Sequence, residues 1–180
     1  MTDLIQLPHT GLHVPHTRYA LSDFQQMTTR NGIAYNATVN EGDRRVGIIE
    51  NDGNGGATLF FPATGADRRA VHEFAAVCRM DGEPLTEEEV LDRLIDEHET
   101  AVDVAKCARR RASLLRGFDK DEEFVASIAV KVPPVWLDRD DSPFLPHVAR
   151  DLKASDPEVT AWQFWTGDRW KPLALPAVPA

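Results

Sequence analysis

The sequence predicts an α+β fold: a small antiparallel sheet with two main helices packed on one face, plus a C-terminal extension with a Trp-rich hairpin. Three observations predict it. Residues 17–62 alternate apolar and polar side chains between Gly- and Asn-rich breaks. Residues 67–80 and 87–115 switch to helical spacing. Residues 159–171 return to alternation and hold Trp162, Phe164, Trp165 and Trp170.

The elements follow in chain order. Residues 1–16 carry Pro8, Gly11 and Pro15 among His9, His13 and His16, and predict a loose N-terminal arm. Tyr19 to Thr29 is a candidate edge strand. Ile33, Tyr35, Ala37 and Val39 alternate with polar or small residues, as a half-buried strand requires. Glu41-Gly42-Asp43 supplies a turn, and Arg45 to Glu50 supplies the second arm of a hairpin. Asn51 to Gly56 must be a loop, because three glycines in six residues do not sit in a strand core. Ala57 to Phe61 resumes a strand.

Val71, Phe74, Ala75 and Cys78 mark one helix, with Asp67 as its expected N-cap. Thr86 and Glu89 form a capping box for the second. That helix is expected to run from 87 to 115, with one apolar stripe from Val90 to Ala112. Its acids gather at the front and its bases at the back, which complements the helix dipole. Phe124, Ala126, Ile128 and Val130 alternate as a strand, and a short helix is expected near Phe144 to Leu152. A main domain over 17–132 is therefore expected, with an extension over 133–171 packed on it. A mobile tail is expected over 172–180.

Composition bounds the function. The chain has 180 residues, 42% of them hydrophobic, and a formal net charge of -9. An acidic whole argues against general nucleic-acid binding, which needs a cationic footprint. No apolar run is long enough to span a bilayer, and no signal-peptide pattern opens the chain. A cytoplasmic protein without membrane attachment is the expectation. Cys78 and Cys107 stand alone, so neither a zinc ribbon nor a redox pair is expected.

No catalytic signature is present. His72-Glu73 and His98-Glu99 each open like the helical zinc motif HExxH, but Ala76 and Val102 stand where the second histidine belongs. No metal or cofactor is expected on these grounds. Two surfaces remain. Asn51, Asp52, Gly53, Asn54, Gly55 and Gly56 form either a tight structural connection or a loop whose amides cradle an anion. The loop lacks the Lys and Ser/Thr of a P-loop and the distal Glu of an EF-hand. Lys106, Arg109, Arg110, Arg111 and Arg116 concentrate five cations in eleven residues. They form either a docking patch for an acidic partner or a solvated helix end. Cys107 beside them is a candidate for a lowered thiol pKa. The tryptophans are either core or a partner-binding face.

The stretch Val46 to Gly56, ending Asn51-Asp52-Gly53-Asn54-Gly55-Gly56, resembles an uncharacterised family of small bacterial and phage proteins. In that family a strand pair leads into an NDGxGG loop, then helices, then a basic end near a CxxK/R run. Cys107-Ala108-Arg109-Arg110-Arg111 is similar. The resemblance covers residues 30–130 and stops before the Trp-rich hairpin. It implies a fold and a mobile-element setting, and no catalytic residues. The expected function is a non-enzymatic interaction or accessory protein that binds a protein partner or itself. The alternative is a small enzyme or nucleotide-binding module that uses the 51–56 loop.

Overall fold

The computed structural model describes residues 3–176. The fold is α+β, with three four-stranded antiparallel sheets and four helices among the described residues. The expected small antiparallel sheet is one of these three. The chain divides into two compact units, Met1–Glu99 and Thr100–Ala180.

In the first unit, β3 (Tyr19–Thr28), β4 (Ile33–Glu41), β5 (Arg44–Asn51) and β6 (Leu59–Pro62) form a meander in chain order. Helices α1 (Gly65–Val77) and α2 (Glu87–Arg109) follow. Ala37, Val39, Val46, Ile49 and Phe60 share one core with Val71 of α1 and with Leu91 and Ile95 of α2. Both helices therefore pack on the same sheet face, as the stripe predicts. Burying each of these side chains other than Ala37 contributes about 1.5–3 kcal/mol.

Helix α1 is capped differently from the expectation. Thr64 is the N-cap, and its hydroxyl accepts from the amide of Asp67. Asp67 sits inside the first turn, buried, with its carboxylate bonded to Arg44 at 2.6 Å and to the Thr64 hydroxyl at 2.7 Å. Those two groups hold the carboxyl below the usual carboxylate range.

Residues 1–16 are not a loose arm where the structure describes them. β1 (Ile5–Gln6) pairs with β2 (His13–Val14), and β2 pairs with β7 (Arg79–Met80), which pairs with β8 (Glu83–Pro84). The reason is apolar content between the breakers: Leu12 and Val14 are fully buried against Phe74, Cys78 and Val90. The intervening turn is clasped by α2. The Glu97 carboxylate accepts from the amides of His9 (3.1 Å) and Thr10 (2.8 Å) and from the Thr10 hydroxyl (2.9 Å).

In the second unit, β9 (Ser113–Phe118), β10 (Phe124–Val130), β11 (Ala161–Trp165) and β12 (Trp170–Pro172) form a sheet in the order β10-β9-β11-β12. Helix α2 ends at Arg109, not at 115. Arg111 takes a left-handed φ of 52°, and the chain enters β9. Leu115 is the reason: it is fully buried at the centre of the sheet, opposite Ile128 on one side and Phe164 on the other. A boundary at 132 would separate strands that hydrogen-bond to the Trp-rich hairpin.

α3 (Pro134–Leu137) and α4 (Leu145–Ser155) complete this unit. Leu137, Leu145, Val148 and Leu152 pack on Leu115, Trp162 and Phe164. The expected mobile tail is pinned at its start. The Leu173 amide donates to the Trp162 carbonyl at 2.8 Å, and its side chain is buried. Residues 177–180 lie outside the described residues.

Candidate functional site

The loop after β5 is closed by its own side chains. Asn51, the last residue of β5, accepts from the Gly53 amide at 2.8 Å. Its Nδ2 donates to the Gly56 carbonyl (3.2 Å) and to Thr58 Oγ1 (3.1 Å). Asp52 Oδ1 accepts from the Asn54 amide at 2.9 Å. The Gly53 carbonyl accepts from the Thr29 hydroxyl at 2.7 Å. An anion cradle needs outward backbone N–H groups. Two of those, on Gly53 and Asn54, are already bonded to side chains of the loop.

Gly53 is buried, with φ +70°, and a Cβ there would lie 2.4 Å from the Ala34 nitrogen. The close approach of two backbones requires glycine. Gly55, with φ +81°, faces open space.

Beyond the loop, the buried Thr58 joins a part-buried network. Its hydroxyl donates to Asp92 Oδ1 at 2.5 Å, and the Tyr35 hydroxyl donates to the same oxygen at 2.6 Å. The Thr58 amide donates to Glu88 at 3.1 Å. Glu88 and Asp92 are four residues apart on α2 and so share a face. Burial, then the bond to Asp92, pushes the Tyr35 phenol far above its ordinary value. Tyr35 is a fixed donor at neutral pH, and the Thr58 hydroxyl is engaged on both sides. The network fastens the loop to α2.

The cationic residues are not one patch. Lys106 pairs with Asp103 at 2.8 Å, and Arg109, Arg110 and Arg111 are exposed where α2 ends. Arg116 belongs to β9 instead. Its Nε donates to Gln163 at 2.8 Å, and its guanidinium lies over Trp170 at 4.2 Å and Phe118 at 5.3 Å. Burial lowers its pKa to about 10. The acidic 138–141 segment is matched by Lys171, which pairs with Asp138, and by Arg139, which pairs with Asp141. Cys107 is buried, and its thiol pKa is raised by burial and Asp103 against Arg110 and Lys106. The expectation of a lowered thiol pKa is corrected.

The tryptophans divide. Trp162 and Trp165 are core, at 7% and 6% exposure. Trp136 is 37% exposed, next to Val135 at 67% and Phe144 at 40%. The Trp136 and Phe144 rings meet edge to face, 5.7 Å apart. Arg139 lies 5.0 Å over Trp136 and is itself held by both oxygens of Asp141, each at 2.9 Å. Two rings and a guanidinium thus hold one another in an ordered, exposed surface.

Sequence reasoning missed Tyr35, Thr58, Glu88 and Asp92 as a connected set. The signal was Asp92 beside the apolar stripe, four residues from Glu88 and next to Leu91. Phe144 was read only as the start of a helix. Among the described residues no three His, Cys, Asp or Glu side chains gather to hold a metal ion, and no helix is long and apolar enough to cross a membrane. No family model matches the chain, and neither a curated protein nor a solved structure matches it.

Proposed function

We propose that this chain is a non-enzymatic interaction protein that recognises a protein partner through the Val135, Trp136 and Phe144 surface. The supporting observation is that surface itself: exposed aromatic area with a pre-positioned arginine. Interface hot spots are rich in Trp, Tyr and Arg. The polar residues of the 51–56 loop favour this reading over the enzyme alternative, because they satisfy each other. An accessory role in the cytoplasm, of the phage or mobile-element kind suggested by the NDGxGG resemblance, belongs to the same proposal.

The test is capture from host extract by the wild-type chain and by Trp136→Ala, followed by reassembly with the purified partner. Loss of at least tenfold in affinity on removing Trp136 supports the proposal, since such truncations at hot spots cost 2 kcal/mol or more. Equal affinity for both chains overturns it.

A further inference from the structure

A groove of about 400 Å³ lies between β10 and α4. One wall is five consecutive residues, Ile128 through Val132. Consecutive residues of a strand point to opposite faces. Ile128, Ala129 and Val130 end β10, with Lys131 and Val132 in the bend beyond it, so a cavity that touches all three strand residues runs along the backbone edge of the strand. The other wall is Phe144, His147, Val148, Asp151, Leu152 and Ser155, at the three- and four-residue spacing of one helix face.

Among the described residues β10 is an edge strand whose sole ladder partner is β9. Half of its amide and carbonyl groups therefore point away from β9, and those between Ile128 and Val130 face the groove. Edge strands are normally protected by charges, proline or extreme shortness. From Phe124 to Val130 this one has no charge and no proline. Its one irregularity is the register shift between Phe124 and Ala126, outside the groove. The α4 wall is graded: Val148 and Leu152 are buried at the base, and His147, Asp151 and Ser155 are exposed at the rim.

We propose that this groove binds an extended peptide segment of a protein partner, which adds to the sheet as a strand beside β10. This rests on the reading of the chain as an interaction protein and names how it engages its partner. Main-chain hydrogen bonds to β10 supply affinity, and side chains that alternate along the added strand supply specificity. One set faces the apolar base under α4. Lys131 on the strand wall and Asp151 on the helix wall are both exposed and carry opposite charges. The complementary segment is apolar at alternate positions, with an acid opposite Lys131 and a base opposite Asp151. A single chain fits a space walled by a helix, whereas the β10 of a second copy would arrive with its own α4. Phe144 joins the groove to the Trp136 surface, so one partner can use both.

The experiment selects linear dodecamers from a phage-displayed random library on the full chain. Enriched peptides are synthesised, titrated by fluorescence anisotropy and examined by amide hydrogen exchange. The expected result is a shared alternating pattern with one acid and one base, and slowed exchange in Phe124–Val130 on binding. Lys131→Glu should weaken binding about tenfold, and a peptide with its acid changed to lysine should recover it. Circular dichroism verifies that the variant is folded, and the exchange map stands independently of the variant. Three results overturn the proposal: no enriched peptide, protection away from β10, or protection of β10 that depends on protein concentration without peptide. The last identifies a second copy as the occupant. If Trp136→Ala abolishes partner capture while no peptide is enriched, the groove falls and the interaction reading stands. If peptides bind β10 while Trp136→Ala captures as well as wild type, the Trp136 surface falls instead.

Discussion

The loop after β5 and the segment after β10 invite opposite expectations, and the structure reverses them. The first is dense in Asn, Asp and Gly, the residue types of binding loops. The second is an ordinary connection punctuated by prolines. Yet the polar groups of the loop bond to one another and to Thr29 and Thr58. The second leaves Val135, Trp136 and Phe144 in solvent. Polar side chains that can reach each other are consumed in building a turn. Aromatic side chains with no core to enter remain available. Density of chemistry in a sequence is a poor guide to its accessibility.

That contrast breaks most decisively at Gly53. An alanine there must take a left-handed backbone and place its Cβ against the main chain of Ile33 and Ala34. We expect a loss of about 3 kcal/mol in urea unfolding. Unchanged stability would mean that the loop is not fixed by this approach, and its polar groups would again be open to ligand. Next in size is Tyr35→Phe, which takes one donor from Asp92 without leaving a void. A hydrogen bond to a charged group is worth about 2 kcal/mol, and thermal unfolding should register that loss. If the variant melts with wild type, the network does not anchor the loop.

Gly55→Ala separates conformation from crowding. Its Cβ meets nothing, so only the positive φ resists substitution. A cost of about 1 kcal/mol is expected, clearly below that of Gly53→Ala. Equal effects at the two positions would show that packing against Ala34 contributes nothing.

The smallest expected effect concerns pH at the start of α1. Asp67 has its folded pKa depressed by Arg44 and Thr64. Its contribution is therefore fully present above the ordinary carboxylate range. It is lost as pH falls through the depressed value. Arg44→Gln should lower stability on the neutral side, converge with wild type at low pH, and so flatten the acid side of the profile. An identical acid limb in both proteins would remove Asp67 from the linkage.

Much of the fold was legible because periodicity reports burial. The alternation of Tyr35, Ala37 and Val39 and the stripe through Leu91 and Ile95 each mark a face that the first core occupies, while Ile33 at the head of the same alternation is exposed. What misled was local ambiguity settled at long range. Ala112 to Arg116 suits a helix as well as a strand. The pairing of Leu115 with Ile128 and Phe164, distant in sequence, decides between them. Leu12 and Val14 stand among three breakers, and only Phe74, Cys78 and Val90 give them a reason to order. The candidate surface was legible in part. Trp136 announces itself, but whether a tryptophan is core or exterior depends on sheet positions that Trp162 and Trp165 fill first.

The grip of Glu97 on the turn at His9 and Thr10 has a consequence in time. That clasp joins groups 87 and 88 residues apart. During synthesis the N-terminal strands leave the ribosome long before Arg79 and Glu97 exist to receive them. At 5–20 residues per second the wait is roughly 4 to 17 s. Through that interval the β1–β2 hairpin is on its own, and an isolated two-stranded hairpin is marginal at best in water. Leu12 and Val14, sealed in the finished protein, are bare while the chain is growing. A segment made early is thus among the last of the described ones to find its place.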